Sequence, residues 1–161
     1  MELNYYCKIL RRLLPVTLLC APLLAQSSGH LKVGEPPKVA GKRGAVVQAK
    51  IPLIVDSGFH VNSNSPNEEY LIPLKLTWKS TGALEGGQVI YPKPAQEKYE
   101  FAEKPLSVFT GRFEVTANFK VAANAPAGPG VAAGQLRYQA CNDKACFPPK
   151  TVEINVPYSV K

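Results

Sequence analysis

Two cysteines with four residues between them, Cys141 and Cys146, lie in the segment "YQACNDKACFPPK" (residues 138–150), between two runs that read as β-strands. Such a pair suits three chemistries: a disulfide that staples a turn, one corner of a metal site, or a dithiol that exchanges electrons with another protein. Exchange needs an attacking thiolate, an accessible sulfur and a second cysteine to resolve the mixed disulfide. A turn offers that access, and Lys144 adds a positive charge that favours a thiolate. Pro148 and Pro149 withhold two backbone donors just after Cys146, leaving nearby strand edge open to a partner. The staple is the plainer alternative, although closing so short a loop contributes only about 2 kcal/mol of chain entropy. Zinc typically takes four ligands. Beyond the first 25 residues only His30 and His60 join the two cysteines as soft or borderline donors, from separate segments, so no metal is expected. His60 reads as a strand or loop histidine packed near aromatics.

Other chemistries find no footing. No serine sits in a nucleophile elbow, and no Gly-rich phosphate loop, HExxH motif or paired carboxylates appear. The formal net charge is +7, but the basic residues are scattered and form no stripe with interleaved aromatics, so nucleic acid is not an expected partner.

The start of the chain reads as a leader. Lys8, Arg11 and Arg12 precede the apolar run Leu13–Ala25, and polar "QSSGH" follows, the pattern of a secretory signal peptide over residues 1–25. The run is short for a membrane span, which needs ~20 apolar residues. Cleavage after Ala25 removes one acidic and three basic residues, lowering the net charge to +5, and it removes Cys7 and Cys20. Cys141 and Cys146 are then the only cysteines, in an exported setting where disulfides persist. Lipid attachment at Cys20 is the less favoured alternative, because Leu19 stands where that signal wants a small residue.

The elements that must position the pair repeat with period two. Val47, Ala49, Ile51, Leu53 and Val55 share one face; so do Leu74, Leu76 and Trp78; so do Phe113, Val115, Ala117 and Phe119. Leu136, Tyr138 and Ala140, then Val152, Ile154 and Val156, continue the pattern. Such alternation marks strands with one buried face, and turn-rich breaks such as "NSNSPN" and "NAPAGPG" separate them. The expectation is an all-β domain over residues 45–161 with seven to nine short strands: an immunoglobulin-like antiparallel β-sandwich. Residues 26–44 read as a tether and irregular entry. The cysteines are expected near the mouth of a hairpin formed by Leu136–Ala140 and Thr151–Val156.

Four segments occur in a telling order: "GFHVNSNSPNEEYLIPLKLTW" (Gly58–Trp78), "YPKPAQEKYEF" (Tyr91–Phe101), "FTGRFEV" (Phe109–Val115) and the cysteine segment. Together, from about Lys38 to Val160, they resemble the N-terminal periplasmic domain of the thiol:disulfide interchange protein DsbD. The resemblance implies an immunoglobulin-like sandwich with Cys141 and Cys146 as its redox pair and no further cofactor. It implies that Cys146 forms mixed disulfides and Cys141 resolves them. It implies a cap loop in "KYEFAEK" (Lys98–Lys104), with Phe101 shielding the disulfide, Tyr99 and Glu100 beside it, and Tyr138 and Phe147 flanking the pair. The implied partners are periplasmic thioredoxin-like oxidoreductases, including those serving cytochrome c maturation. No polytopic membrane segment follows the sandwich in this chain, so the electron donor is expected to be a separate membrane protein. A non-catalytic binding module with a structural Cys141–Cys146 disulfide is the alternative.

Overall fold

A computed structural model describes residues 29–161; the leader, Cys7, Cys20 and the cleavage point lie outside the described residues. The alternating runs form strands as their period requires, and three four-stranded sheets result. The first runs β1 (Leu31–Val33), β3 (Val46–Val55), β9 (Arg112–Val121), β6 (Leu84–Ile90). The second runs β2 (Val39–Gly41), β12 (Lys150–Val160), β10 (Gly128–Tyr138), β5 (Lys75–Ser80). The third, made of shorter pieces, runs β11 (Ala140–Cys141), β4 (His60–Asn62), β8 (Leu106–Phe109), β7 (Ala95–Glu97).

The first two sheets enclose the main core. Ala49, Ile51 and Leu53 from β3 and Val115, Ala117 and Phe119 from β9 meet Leu136 from β10 and Ile154 and Val156 from β12. Burying one side chain of this size contributes about 1.5–3 kcal/mol, so the two long antiparallel pairs, β3–β9 and β10–β12, anchor the immunoglobulin-like sandwich. Trp78 closes the side of the core edge-on to Phe119, ring centroids 4.8 Å apart, and its indole N–H donates to the Gly87 carbonyl at 3.0 Å. Gly87 has φ +92°, and a Cβ there would meet Trp78 Cδ1 at 2.5 Å, so the close seat of the indole requires glycine.

The strands number twelve among the described residues rather than seven to nine. Two of the additions, β1 and β2, lie within the stretch expected to be a tether. One crosses to the first sheet and the other adds to the second in parallel with β12. Their three-residue length leaves no period to detect in a segment rich in Gly and Pro.

The third sheet comes from a switch. β10 pairs with β12 as far as Tyr138 and Lys150. The chain then leaves that sheet at Gln139, and β11 pairs instead with β4, Cys141 opposite His60. The cysteines thus lie, as expected, in the connection that closes the β10–β12 hairpin, and they face each other across an antiparallel bridge of their own. Gln139 diverts the chain because its side chain is held elsewhere: it accepts from Asn62 Nδ2 (3.0 Å) and from the Ile72 amide (3.1 Å).

The core assignment carries a stability prediction. Leu136→Ala, at a position 1% exposed, is expected to cost about 2–5 kcal/mol. Val46→Ala, at a position 71% exposed, should stay within about 0.5 kcal/mol. Urea unfolding of the two variants measures the contrast.

Candidate functional site

Because side chains alternate across a strand, the third sheet has two different faces. Ala140, Val61 and Phe109 turn toward the main core. Cys141 and His60, paired across β11 and β4, turn the other way, as do Asn62 and Val108, paired across β4 and β8, and Glu97 and Leu106, paired across β7 and β8. On this second face Leu71, Ala102, Leu106 and Val108 form a separate small core, with Tyr99, Phe101 and Cys146 packed against it.

Cys141 and Cys146 are joined, S–S 2.04 Å, across a tight turn. The Asn142 amide donates to the Ala145 carbonyl at 3.0 Å, and the Phe147 amide to the Ala140 carbonyl at 2.9 Å. Asn142 Oδ1 accepts from the amides of Lys144 (2.9 Å) and Ala145 (2.8 Å), the local hydrogen bonding that makes asparagine a turn residue. Cys141 is fully buried, whereas Cys146 is partly exposed. The two cysteines thus differ in burial.

Tyr99 and Phe101 of the 98–104 segment pack on this face. Tyr99 stacks on His60 (ring centroids 4.0 Å apart, planes 22°) and Phe101 stacks next to Tyr99 at 5.8 Å. Tyr99 Oη donates to Glu97 Oε2 at 2.5 Å. Burial and that hydrogen bond push the Tyr99 phenol well above its usual range, so it stays protonated. The loop is folded on itself, the Ala102 amide donating to the Tyr99 carbonyl and Lys98 Nζ donating to the carbonyls of Ala102 and Glu103. Glu100 is exposed on its outer side.

Tyr138 stands elsewhere. It is a main-core residue, 1% exposed, and its hydroxyl ends against Gly29, where a Cβ would come within 1.9 Å. Its phenol and Phe147 line an apolar cleft of about 390 Å³ with His30, Ala140, Pro148 and Pro149. Phe147, 37% exposed, lies 5.9 Å from Phe59, on which His30 stacks at 3.6 Å. Asp56 fixes that corner: it accepts from Lys32 Nζ at 2.8 Å, which holds its carboxyl below the usual range, and it pairs with His30 Nδ1 at 3.6 Å. Tyr138 and Phe147 thus line one apolar cleft beside the cysteine turn.

Four contributors had escaped the reading of the sequence as site residues: Gln139, Asn62, Glu97 and His60. Gln139 Nε2 also donates to the Phe147 carbonyl at 3.2 Å, so one side chain ties β4, the Ile72 segment and the turn together. Asn62 Nδ2 donates in addition to the Ile72 carbonyl at 3.1 Å. His60 and Asn62 are buried polar residues of a strand, whereas Gln139 falls on the outward side of the Leu136–Ala140 alternation and nothing local marks it. Among the described residues no three His, Cys, Asp or Glu side chains converge to hold a metal ion.

The comparisons with known proteins bear on this geometry. The family model described as "Thiol:disulfide interchange protein DsbD, N-terminal" matches residues 35–157. The chain belongs to that family. Among solved structures, the N-terminal periplasmic domain of ScsB from Proteus mirabilis aligns with a TM-score of 0.59 and 12% identity, over 83% of this chain and 49% of that one. The chain thus spans about half the length of the ScsB domain it matches, and at that identity the likeness concerns the fold. The N-terminal domain of Neisseria meningitidis DsbD, in its reduced form, aligns with a TM-score of 0.44 and 18% identity, over 77% of this chain and 84% of that one. No curated protein sequence matches significantly. The turn-borne disulfide and the aromatic rings near it thus lie in a domain of the DsbD N-terminal family.

His60 gives this site a pH signature. It is 1% exposed with Nε2 unpartnered, and burial holds its imidazole below the ordinary value of 6.5, opposed by the charge of Glu97. The unfolded chain therefore binds the proton first as pH falls. The contribution of neutral His60 to stability is complete above pH 6.5 and is lost as pH drops from there through the folded-state value. Denaturation of the wild type and of His60→Phe from about pH 5 to 8 should show a steeper acid loss in the wild type.

Proposed function

We propose that this chain is an exported thiol:disulfide exchange module that cycles Cys141 and Cys146 between disulfide and dithiol. It takes electrons from a separate membrane donor and passes them to periplasmic thioredoxin-like oxidoreductases, among them those serving cytochrome c maturation. The observation that carries the reading is the position of the bond. It closes a six-residue loop already held by two backbone hydrogen bonds and the Asn142 side chain. A staple there adds only about 2 kcal/mol, so stability is a weak reason for the bond. Its partly exposed sulfur faces an aromatic cap, and an apolar cleft lies alongside. Family membership and the leader-like start of the sequence point the same way.

The unequal burial of the two cysteines supports their division of labour. In the dithiol form Cys146, at the surface, attacks the partner's disulfide as thiolate and forms the mixed disulfide, expelling one partner sulfur. Cys141, beneath it, attacks the Cys146 sulfur and releases the second partner sulfur. Two electrons pass to the partner, and this chain ends as the disulfide. Tyr99 and Phe101 cover the pair between encounters, and the cleft beside Phe147, Pro148 and Pro149 receives an apolar part of the partner.

The decisive quantity is the reduction potential of the pair, measured by equilibration in defined thiol buffers. A value of about −200 to −270 mV is expected for exchange, while one below about −300 mV would mark a structural bond in a binding module. With the potential in hand, Cys141→Ala is expected to accumulate a mixed disulfide through Cys146, detectable by mass, and Cys146→Ala to form none.

A further inference from the structure

The resolving step sets a problem that the exposed step does not. Cys141 has no accessible surface. When it is a thiol its proton must leave before the sulfur can attack, since the thiolate is the nucleophile, and water cannot take that proton where water does not reach. A base is needed on the buried side.

The ionisable groups around that side are few. Cys141 pairs with His60 across β11 and β4, so their side chains emerge on the same face of the third sheet. Glu97 and Asp143 face His60 across a cleft of about 260 Å³ that Tyr99, Phe59 and Thr110 also line. Tyr99 is held protonated by its donation to Glu97, so it has no basic oxygen to offer. The Glu97 carboxylate already receives that proton donor, and Asp143 is exposed in the turn. His60 differs from all of these. Its Nε2 is buried with no hydrogen-bond partner, a costly state for a polar atom that calls for an explanation. Its environment favours the neutral ring, which carries a free lone pair.

We infer that His60 is the proton acceptor for Cys141 in the resolving step, an inference that rests on the exchange reading above. In the mixed disulfide the Cys141 S–H bond breaks and its proton passes to His60. The Cys141 thiolate forms the bond to the Cys146 sulfur, and the bond from Cys146 to the partner sulfur breaks. That sulfur leaves with the electron pair and is protonated from the imidazolium through the cleft, which restores neutral His60. The partner's disulfide is reduced by two electrons, the two cysteines here are oxidised by two, and protons balance. Stacking of Tyr99 on the ring holds the imidazole over the sheet.

The test follows the reduced protein reacting with oxidised glutathione, quenched in acid and resolved by mass into dithiol, mixed disulfide and closed disulfide. His60→Phe keeps a ring against Tyr99 and removes the base. In the wild type the resolving rate should rise with pH and level off once His60 is neutral. In His60→Phe the mixed disulfide should build up, its resolution slower by roughly a hundredfold at neutral pH, the lower range for general-base help. Its rate should keep climbing toward the ionisation of the thiol itself. Equal resolving rates and pH profiles in the two proteins would overturn the role of His60 while leaving exchange intact. A wild type that forms no mixed disulfide and has the potential of a structural bond would remove both. A measurement independent of the variant's folding is the NMR titration of the His60 ring in the wild type: its midpoint should differ between dithiol and disulfide forms, and identical midpoints would count against the assignment.

Discussion

The change of sheet at Gln139 is the constraint on which the site depends. One residue after the last β10–β12 pair, the backbone abandons the sandwich and pairs with β4, and the side chain of Gln139 secures the new course through Asn62, Ile72 and Phe147. A side-chain amide has both donor and acceptor ends, so a single residue satisfies groups on three segments at a point where the regular ladder has stopped. Alternation then does the rest. Ala140 faces the main core, Cys141 turns to the other face beside His60, and Cys146 packs against the second small core.

That second core explains the unequal character of the two cysteines. The buried sulfur belongs to a strand and inherits a strand neighbour, His60; the accessible one belongs to a turn and inherits the cap loop. The turn that the disulfide closes carries backbone and Asn142 hydrogen bonds of its own, and it lies between the aromatic rings of the 98–104 segment and an apolar cleft with two prolines. Buried polar groups are costly unless satisfied, and the unpartnered Nε2 of His60 and Oδ1 of Asn62 both lie on strand β4, within this layer.

Short polar residues of "HVNSNSPN" (residues 60–67) support this layer. Ser63 and Ser107 share a buried hydroxyl contact at 2.8 Å that locks β4 to β8, and Asn67 Nδ2 reaches Gln96 Oε1 and the Pro105 carbonyl, on either side of the cap. Short polar side chains hold these loops because each can satisfy backbone groups locally where no ladder runs. The cap is thereby positioned from below by polar contacts and from the side by aromatic stacking.

The sequence by itself determined the sandwich and its contents. Period-two burial in "VQAKIPLIV", "RFEVTANFK" and "TVEINV" is a local property, dictated by strand geometry, and it assigned the core faces correctly for Ile51, Phe119 and Ile154. It also marked Cys141 and Cys146 as a pair, through residue type and spacing. Only the tertiary structure decided where that pair would sit. The third sheet is built from strands of two to four residues, too short to show a period, and its register joins positions about 80 residues apart in sequence, such as His60 and Cys141. Tyr138 and His60 show the consequence. One residue near the cysteines in sequence belongs to the main core, while one far from them is the strand neighbour of Cys141. Proximity along the chain is covalent and visible in the sequence; proximity across a sheet depends on long-range pairing, and that is fixed only when the whole core has formed.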